Sequence, residues 1–211
     1  MTTSTTTTKA LFDTTSTLTD RGRTLLPVAL ADAFKFTPKP LSYRVFDSVR
    51  VVVSPSGQVD VEATDTYAVI RISTPGAVET DASAAWGFLI TKQDAAHLTS
   101  LIASPSCLES MLDLMPQVQN DHQWPQGLDA VMTGPVKGKR ASEVILNPEL
   151  MAKFAIRSVV KGIAGVRKSA PKYPEMVIRM GETSTRAIQI EVSHKDSPVT
   201  AVGAIMPIRG W

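Results

Sequence analysis

The sequence predicts an α+β protein in which a helix crosses one face of a β-meander and the unit recurs. Three observations carry this reading. An apolar helical run over 25–36 precedes strand-like runs over 43–53, 58–63 and 67–73. A second strand and helix follow at 86–90 and 91–103. A third set closes the chain, with a strand at 143–146, a helix over 149–161 and strands at 175–180, 187–192 and 200–207. Repeating such a unit gathers sheets on the outside and helices on the inner face.

Each element has local signals. Residues 1–19 are rich in Thr and Ser and poor in apolar side chains, so they are expected to form a disordered tail. Thr24 is placed to cap the first helix and Pro38 to stop it. Ser56-Gly57 and Pro75-Gly76 mark turns between the meander strands, and 77–85 reads as a small-residue connection. Thr91 caps the second helix, which ends at Ser104-Pro105. Residues 105–140 are strand-poor, and Trp124-Pro125-Gln126-Gly127 reads as a turn or strap, so a boundary is placed there. This gives a first domain over 20–125 and a second over 126–211, and leaves open whether the second repeat is complete. Asn147-Pro148 opens the last helix and Gly162 ends it.

Composition narrows the function classes. The 211 residues are 43% hydrophobic, enough for one large core or two small ones, yet no run approaches the roughly 18 apolar residues of a membrane span. With no secretory signal at Met1-Thr2-Thr3-Ser4, the expected location is the cytoplasm. Cys107 stands alone and is expected to be an idle thiol. The net charge of +2 is unevenly spread: 137–172 holds nine basic and two acidic residues, leaving the remainder at −5. That asymmetry suits a protein with one face turned to a phosphate backbone.

Two strings resemble the halves of one groove. Ala63-Thr64-Asp65-Thr66-Tyr67-Ala68-Val69 is similar to an Ala-Thr-Asp-Gly-His-Arg-Leu type segment of the bacterial β sliding clamp family, and Met206-Pro207-Ile208-Arg209 to its Met-Pro-Met-Arg type ending. Ile145-Leu146-Asn147 before a helix and strands matches the order of the family's last half-domain. The resemblance covers residues 25–102 and 144–209. It implies a ring that tethers polymerases to DNA, without enzymatic activity or cofactors, docking polymerase and clamp-loader peptides in a groove of Thr64, Thr66, Tyr67, Val69, Met206, Pro207, Ile208 and Arg209. Two domains of about 105 residues suit a trimer. A single domain with an insertion implies a hexamer or no ring. The family's Gly-His-Arg-Leu is replaced here by Thr66-Tyr67-Ala68-Val69, so the groove wall is more apolar and its partner preference differs.

Lys153, Arg157 and Lys161 recur every four residues and share one face of the expected helix, about 6 Å apart, a spacing that meets successive phosphates without reading bases. Lys137, Lys139 and Arg140 before it, and Arg167, Lys168 and Lys172 after it, extend the candidate interface for double-stranded DNA. The plain alternative is a solvated helix face. For Met206-Pro207-Ile208, a thioether beside a rigid ring and a branched aliphatic suits a hydrophobic peptide anchor, and core packing is the competing reading. No Gly-x-x-x-x-Gly-Lys loop, Gly-x-Ser-x-Gly elbow or Cys-x-x-Cys is present, and His97, His122 and His194 lack metal-ligand spacing. Asp60 and Glu62 share a strand face and, with Asp65, hold a cation only if other ligands join them. The resulting expectation is a processivity factor encircling duplex DNA. The alternative is a clamp-fold interaction module that does not close a ring and binds or mimics host replication proteins.

Overall fold

The computed structural model describes residues 14–38, 47–102, 107–115, 118–121, 124–134, 147–163, 174–180 and 187–206. Strand β1 (Ser16–Leu18) leads into helix α1 (Asp20–Ala33), and β2 (Ser48–Val53), β3 (Val59–Thr64) and β4 (Ala68–Thr74) form the expected meander. Next come β5 (Val78–Thr80), β6 (Trp86–Thr91) and α2 (Lys92–Leu101). The strand-poor stretch over 105–140 contributes α3 (Leu108–Asp113), the short β7 (Gln119–Asn120) and α4 (Leu128–Thr133). The chain continues through α5 (Pro148–Lys153), α6 (Arg157–Gly162), β8 (Glu175–Arg179), β9 (Ile188–Ser193) and β10 (Thr200–Ile205). The strand expected at 143–146 lies outside the described residues.

Three boundaries differ from the expectation, each for a tertiary reason. The tail expected through residue 19 stops short, because β1 pairs antiparallel with β5 and buries Leu18. Helix α1 starts at Asp20, with the Thr19 side chain accepting the Gly22 N–H, rather than at Thr24. Gly22, a poor helix former, is needed there: a Cβ on it would lie 1.9 Å from the Ala77 carbonyl oxygen. Pro27 is carried inside the helix, where burial of Leu25, Leu26, Ala29, Leu30 and Ala33 offsets the lost backbone hydrogen bond. The helix expected over 149–161 is two helices. Phe154 and Ile156 are both buried, and residues two apart cannot face one core from a single helix, so the chain turns extended at Ile156.

Among the described residues the main sheet is eight-stranded and antiparallel, in the order β7-β6-β2-β3-β4-β10-β9-β8. Strands from both sides of residue 125, where the sequence places a domain boundary, join in it: β10 pairs with β4 from Thr200↔Ser73 to Ile205↔Ala68. One apolar core links them, drawing Leu26 and Leu30 from α1, Val51, Val61 and Ile72 from the meander, Val159 from α6 and Ile190 and Val192 from β9. Helices α1, α2 and α6 pack on this core face, α1 touching α6, α2, β3 and β4. Helix α4 lies on the opposite face, over β10, β9 and β4. The architecture is therefore α+β, with most helices gathered on one side of an antiparallel sheet. No helix among the described residues is long and apolar enough to cross a membrane.

Candidate functional site

The turn from β3 to β4 is built by its own side chains. Thr64 Oγ1 donates to the Ala68 carbonyl at 2.9 Å and accepts the Thr66 N–H at 3.1 Å. Asp65 Oδ1 accepts the N–H groups of Tyr67, at 3.0 Å, and Ala68, at 2.7 Å. This self-bonding holds Thr66 at φ +76°, a left-handed conformation that a β-branched residue seldom takes and where the resembled family has glycine. Tyr67 is thrown outward, 66% exposed.

Cross-strand register brings the chain's end to this turn. Thr64 stands opposite Val69, and Val69 opposite Ala204, on the sheet face away from α1. Just past β10, the Met206 N–H donates to the Tyr67 carbonyl at 2.8 Å. Thr64, Thr66, Tyr67, Val69 and Met206 consequently line one cleft of about 130 Å³. Met206 is 43% exposed beside it, which argues against its being a core residue. Pro207, Ile208 and Arg209 lie outside the described residues.

The remaining wall was missed by the sequence reading. Helix α4 supplies Leu128 and Val131, and Ala68, Ala187 and Ala204 complete the lining. Met132 of α4 packs against Val69 and Ala204. The 128, 131, 132 spacing after Gly127 is an apolar helix face within the strand-poor stretch, just past the turn at 124–127. Gln189 Nε2 holds α4 in place by donating to the carbonyls of Val131 and Gly134. Trp124 is buried and is not among the lining residues. Cys107 is half-buried, its sulfur accepting the Ser110 N–H at the start of α3.

An ion-pair row ties this face together. Glu62 is buried between Arg50, at 3.0 Å, and Arg71, at 2.5 Å; Arg50 continues to Asp121 and Arg71 to Asp129 of α4. Burial opposes the Arg71 charge, but Glu62 and Asp129 beside it prevail and hold its pKa above the ordinary arginine value. Glu62 is thus occupied by guanidinium groups, Asp60 accepts from Gln58, and Asp65 takes Lys153, so the three acids do not converge on a cation. Among the described residues no group of three or more His, Cys, Asp or Glu side chains is placed to hold a metal ion.

The basic stripe is redistributed by the break between α5 and α6. Lys153, on α5, turns its ammonium to Asp65, and its side chain is mostly covered. Arg157 is 74% exposed at the start of α6, and Lys161 is exposed near that helix's end. Lys92, at the start of α2, is a further exposed cation on the helix side. Lys137, Lys139, Arg140, Arg167, Lys168 and Lys172 lie outside the described residues.

No protein-family model matches the chain, and no curated protein is similar to it in sequence. Solved structures are. The β subunit of DNA polymerase from Streptococcus pyogenes is similar at 10% identity and a TM-score of 0.45, covering 94% of this chain and 65% of that one. The DNA polymerase sliding clamp of Bacillus subtilis is similar at 8% identity and a TM-score of 0.42, over 94% and 65%. The chain thus spans about 65% of the length of these bacterial subunits. The proliferating cellular nuclear antigen of Entamoeba histolytica is similar at 9% identity and a TM-score of 0.42, covering 92% of this chain and 99% of that one.

Proposed function

We propose that this protein is a DNA sliding clamp of the cytoplasm: a processivity factor, not an enzyme, whose oligomer encircles duplex DNA and whose cleft docks short apolar peptides of a polymerase or clamp loader. The observation that carries this reading is that Thr64, Thr66, Tyr67, Val69 and Met206, from segments far apart in sequence, line one cleft. Among the described residues its lining carries no charged side chain, and its size suits one or two apolar anchors rather than a cofactor. Arg157, Lys161 and Lys92 supply sequence-independent phosphate contacts on the helix side. Subunits join through sheet edges. Strand β8 ends the sheet among the described residues, and Met176, Val177 and Ile178 on it are exposed. A trimer follows if the chain counts as two clamp domains.

A second reading, a clamp-fold interaction module that closes no ring, is favoured by the large apolar core that joins strands from both sides of residue 125. Mass in solution separates the two. A species near three subunits, retained on circular but not linear duplex DNA in a salt-sensitive way, supports the clamp; a monomer indifferent to DNA removes it. Within the clamp reading, Met206→Ala weakens peptide binding about tenfold and spares oligomerisation. Arg157→Glu with Lys161→Glu lowers DNA retention and spares the peptide. Equal loss of folding in both variants would return these residues to a purely structural role.

A further inference from the structure

We infer that Lys153 is a positioning residue of the cleft, acting through Asp65 to hold the Thr66–Tyr67 wall, and not a contact for DNA. The inference rests on the docking reading of that cleft and adds the element that keeps it in shape.

The two carboxylate oxygens of Asp65 do different work. Oδ1 accepts the N–H groups of Tyr67 and Ala68 and so fixes the backbone of the wall, while Oδ2 receives the Lys153 ammonium. Both partners are largely covered, with side-chain exposures of 22% for Lys153 and 10% for Asp65, so water replaces this contact poorly. The Lys153 ammonium also lies 5.9 Å from the centroid of the Phe36 ring, within reach of a cation–π attraction. A phosphate that claimed Lys153 would have to draw it off both. What Asp65 holds is a loop that resists being held, since Thr66 sits at φ +76° and gains by relaxing. Without the ammonium, Oδ2 is left partly buried and unpaired. The carboxylate then turns toward water, Oδ1 leaves the two N–H groups, and Tyr67 moves with its backbone. Met206 is affected as well, because its N–H donates to the Tyr67 carbonyl.

Position explains why a residue from α5 does this. The break before α6 frees Lys153 from the exposed face of one long helix. Beyond it, the Ala155 carbonyl accepts the Lys35 ammonium, which also holds Asp32 of α1. The cleft wall is in this way braced against the helix layer at the point where α5 ends.

The test compares Lys153→Met, which keeps the stem over Phe36 and removes the charge, with Asp65→Asn, the double variant and Lys153→Arg. A fluorescein-labelled six-residue peptide with Leu and Phe anchors reports the cleft, and a 30-base-pair duplex reports DNA binding. Lys153→Met and Asp65→Asn are each expected to weaken the peptide about tenfold, the double variant to be no weaker than either, and Lys153→Arg to retain most of the affinity. DNA affinity and its salt slope stay as in the parent protein. Additive losses in the double variant overturn the inference. So does a DNA salt slope reduced by about one in Lys153→Met with peptide binding intact, which is the signature of a lost phosphate contact. If the parent protein binds no peptide, the docking reading fails, and amide exchange at Tyr67 and Ala68 still decides this one: faster exchange in Lys153→Met with an unchanged urea midpoint supports the brace, and unchanged exchange overturns it.

Discussion

Thr66 concentrates the cost of the cleft in one residue. A β-branched side chain at φ +76° is strained by about 1–3 kcal/mol, and the Thr64 and Asp65 hydrogen bonds to its neighbours keep it there. Glycine takes this conformation freely but loses about 0.5–1 kcal/mol through its more disordered unfolded chain. Thr66→Gly is therefore expected to stabilise the protein by about 1 kcal/mol, read as a higher urea midpoint at unchanged slope. A lower midpoint would mean that the side chain contributes packing that outweighs the strain. The resemblance in the sequence pointed to this position without explaining it; the explanation is the left-handed backbone.

Between helices, the informative contact is Asp32. It is fully buried in α1, and its Oδ2 accepts the Ser158 N–H at 2.7 Å, so a carboxylate from one helix caps the next where Ile156 offers no side-chain cap. Lys35 neutralises it at 2.6 Å. Asp32→Ala removes the cap and leaves the Ser158 N–H unpaired, at an expected cost of about 2–3 kcal/mol, with the fastest new amide exchange in α6. Loss spread evenly over the sheet would count against a local capping role. The same contact explains why α5 and α6 part: with an external cap waiting at Ser158, the chain stops one helix and starts another, burying Phe154 and Ile156 together. Gly203 of β10 makes room for this, since a Cβ there would lie 2.7 Å from the Phe154 ring.

Across the whole molecule, the ion-pair row from Asp121 through Arg50, Glu62 and Arg71 to Asp129 fastens α4 and the residues near β7 to the outer sheet face. Glu62 is its centre. Glu62→Gln leaves two guanidinium groups facing each other around a neutral amide, with an expected loss of about 3 kcal/mol in urea unfolding and weaker anchoring of the α4 wall. A change under 1 kcal/mol would show that solvent already screens the row. Because the Arg71 pKa is raised, the stability its charge confers is full below the unfolded arginine pKa and is lost only as pH climbs past the raised folded value, far above neutrality. The row is thus no switch near pH 7 through Arg71.

The meander, the capping of α2 by Thr91 and of α5 by Asn147, and the two strings that meet at the cleft are legible in the chain's residues, because alternation, caps and turns are local properties carried by neighbours. The sequence also contained Lys153, Arg157 and Lys161 at helical spacing, but not the break that separates them. Tertiary structure alone decided that β1 is a strand, that Gly22 belongs to α1, that α4 walls the cleft and that Lys153 answers Asp65. Each depends on a partner far along the chain: β5 for β1, Ala77 for Gly22, Val69 and Ala204 for Met132, and Asp65 for Lys153. Burial and hydrogen bonding across such distances overrode the local pattern, and no window of neighbouring residues contains them.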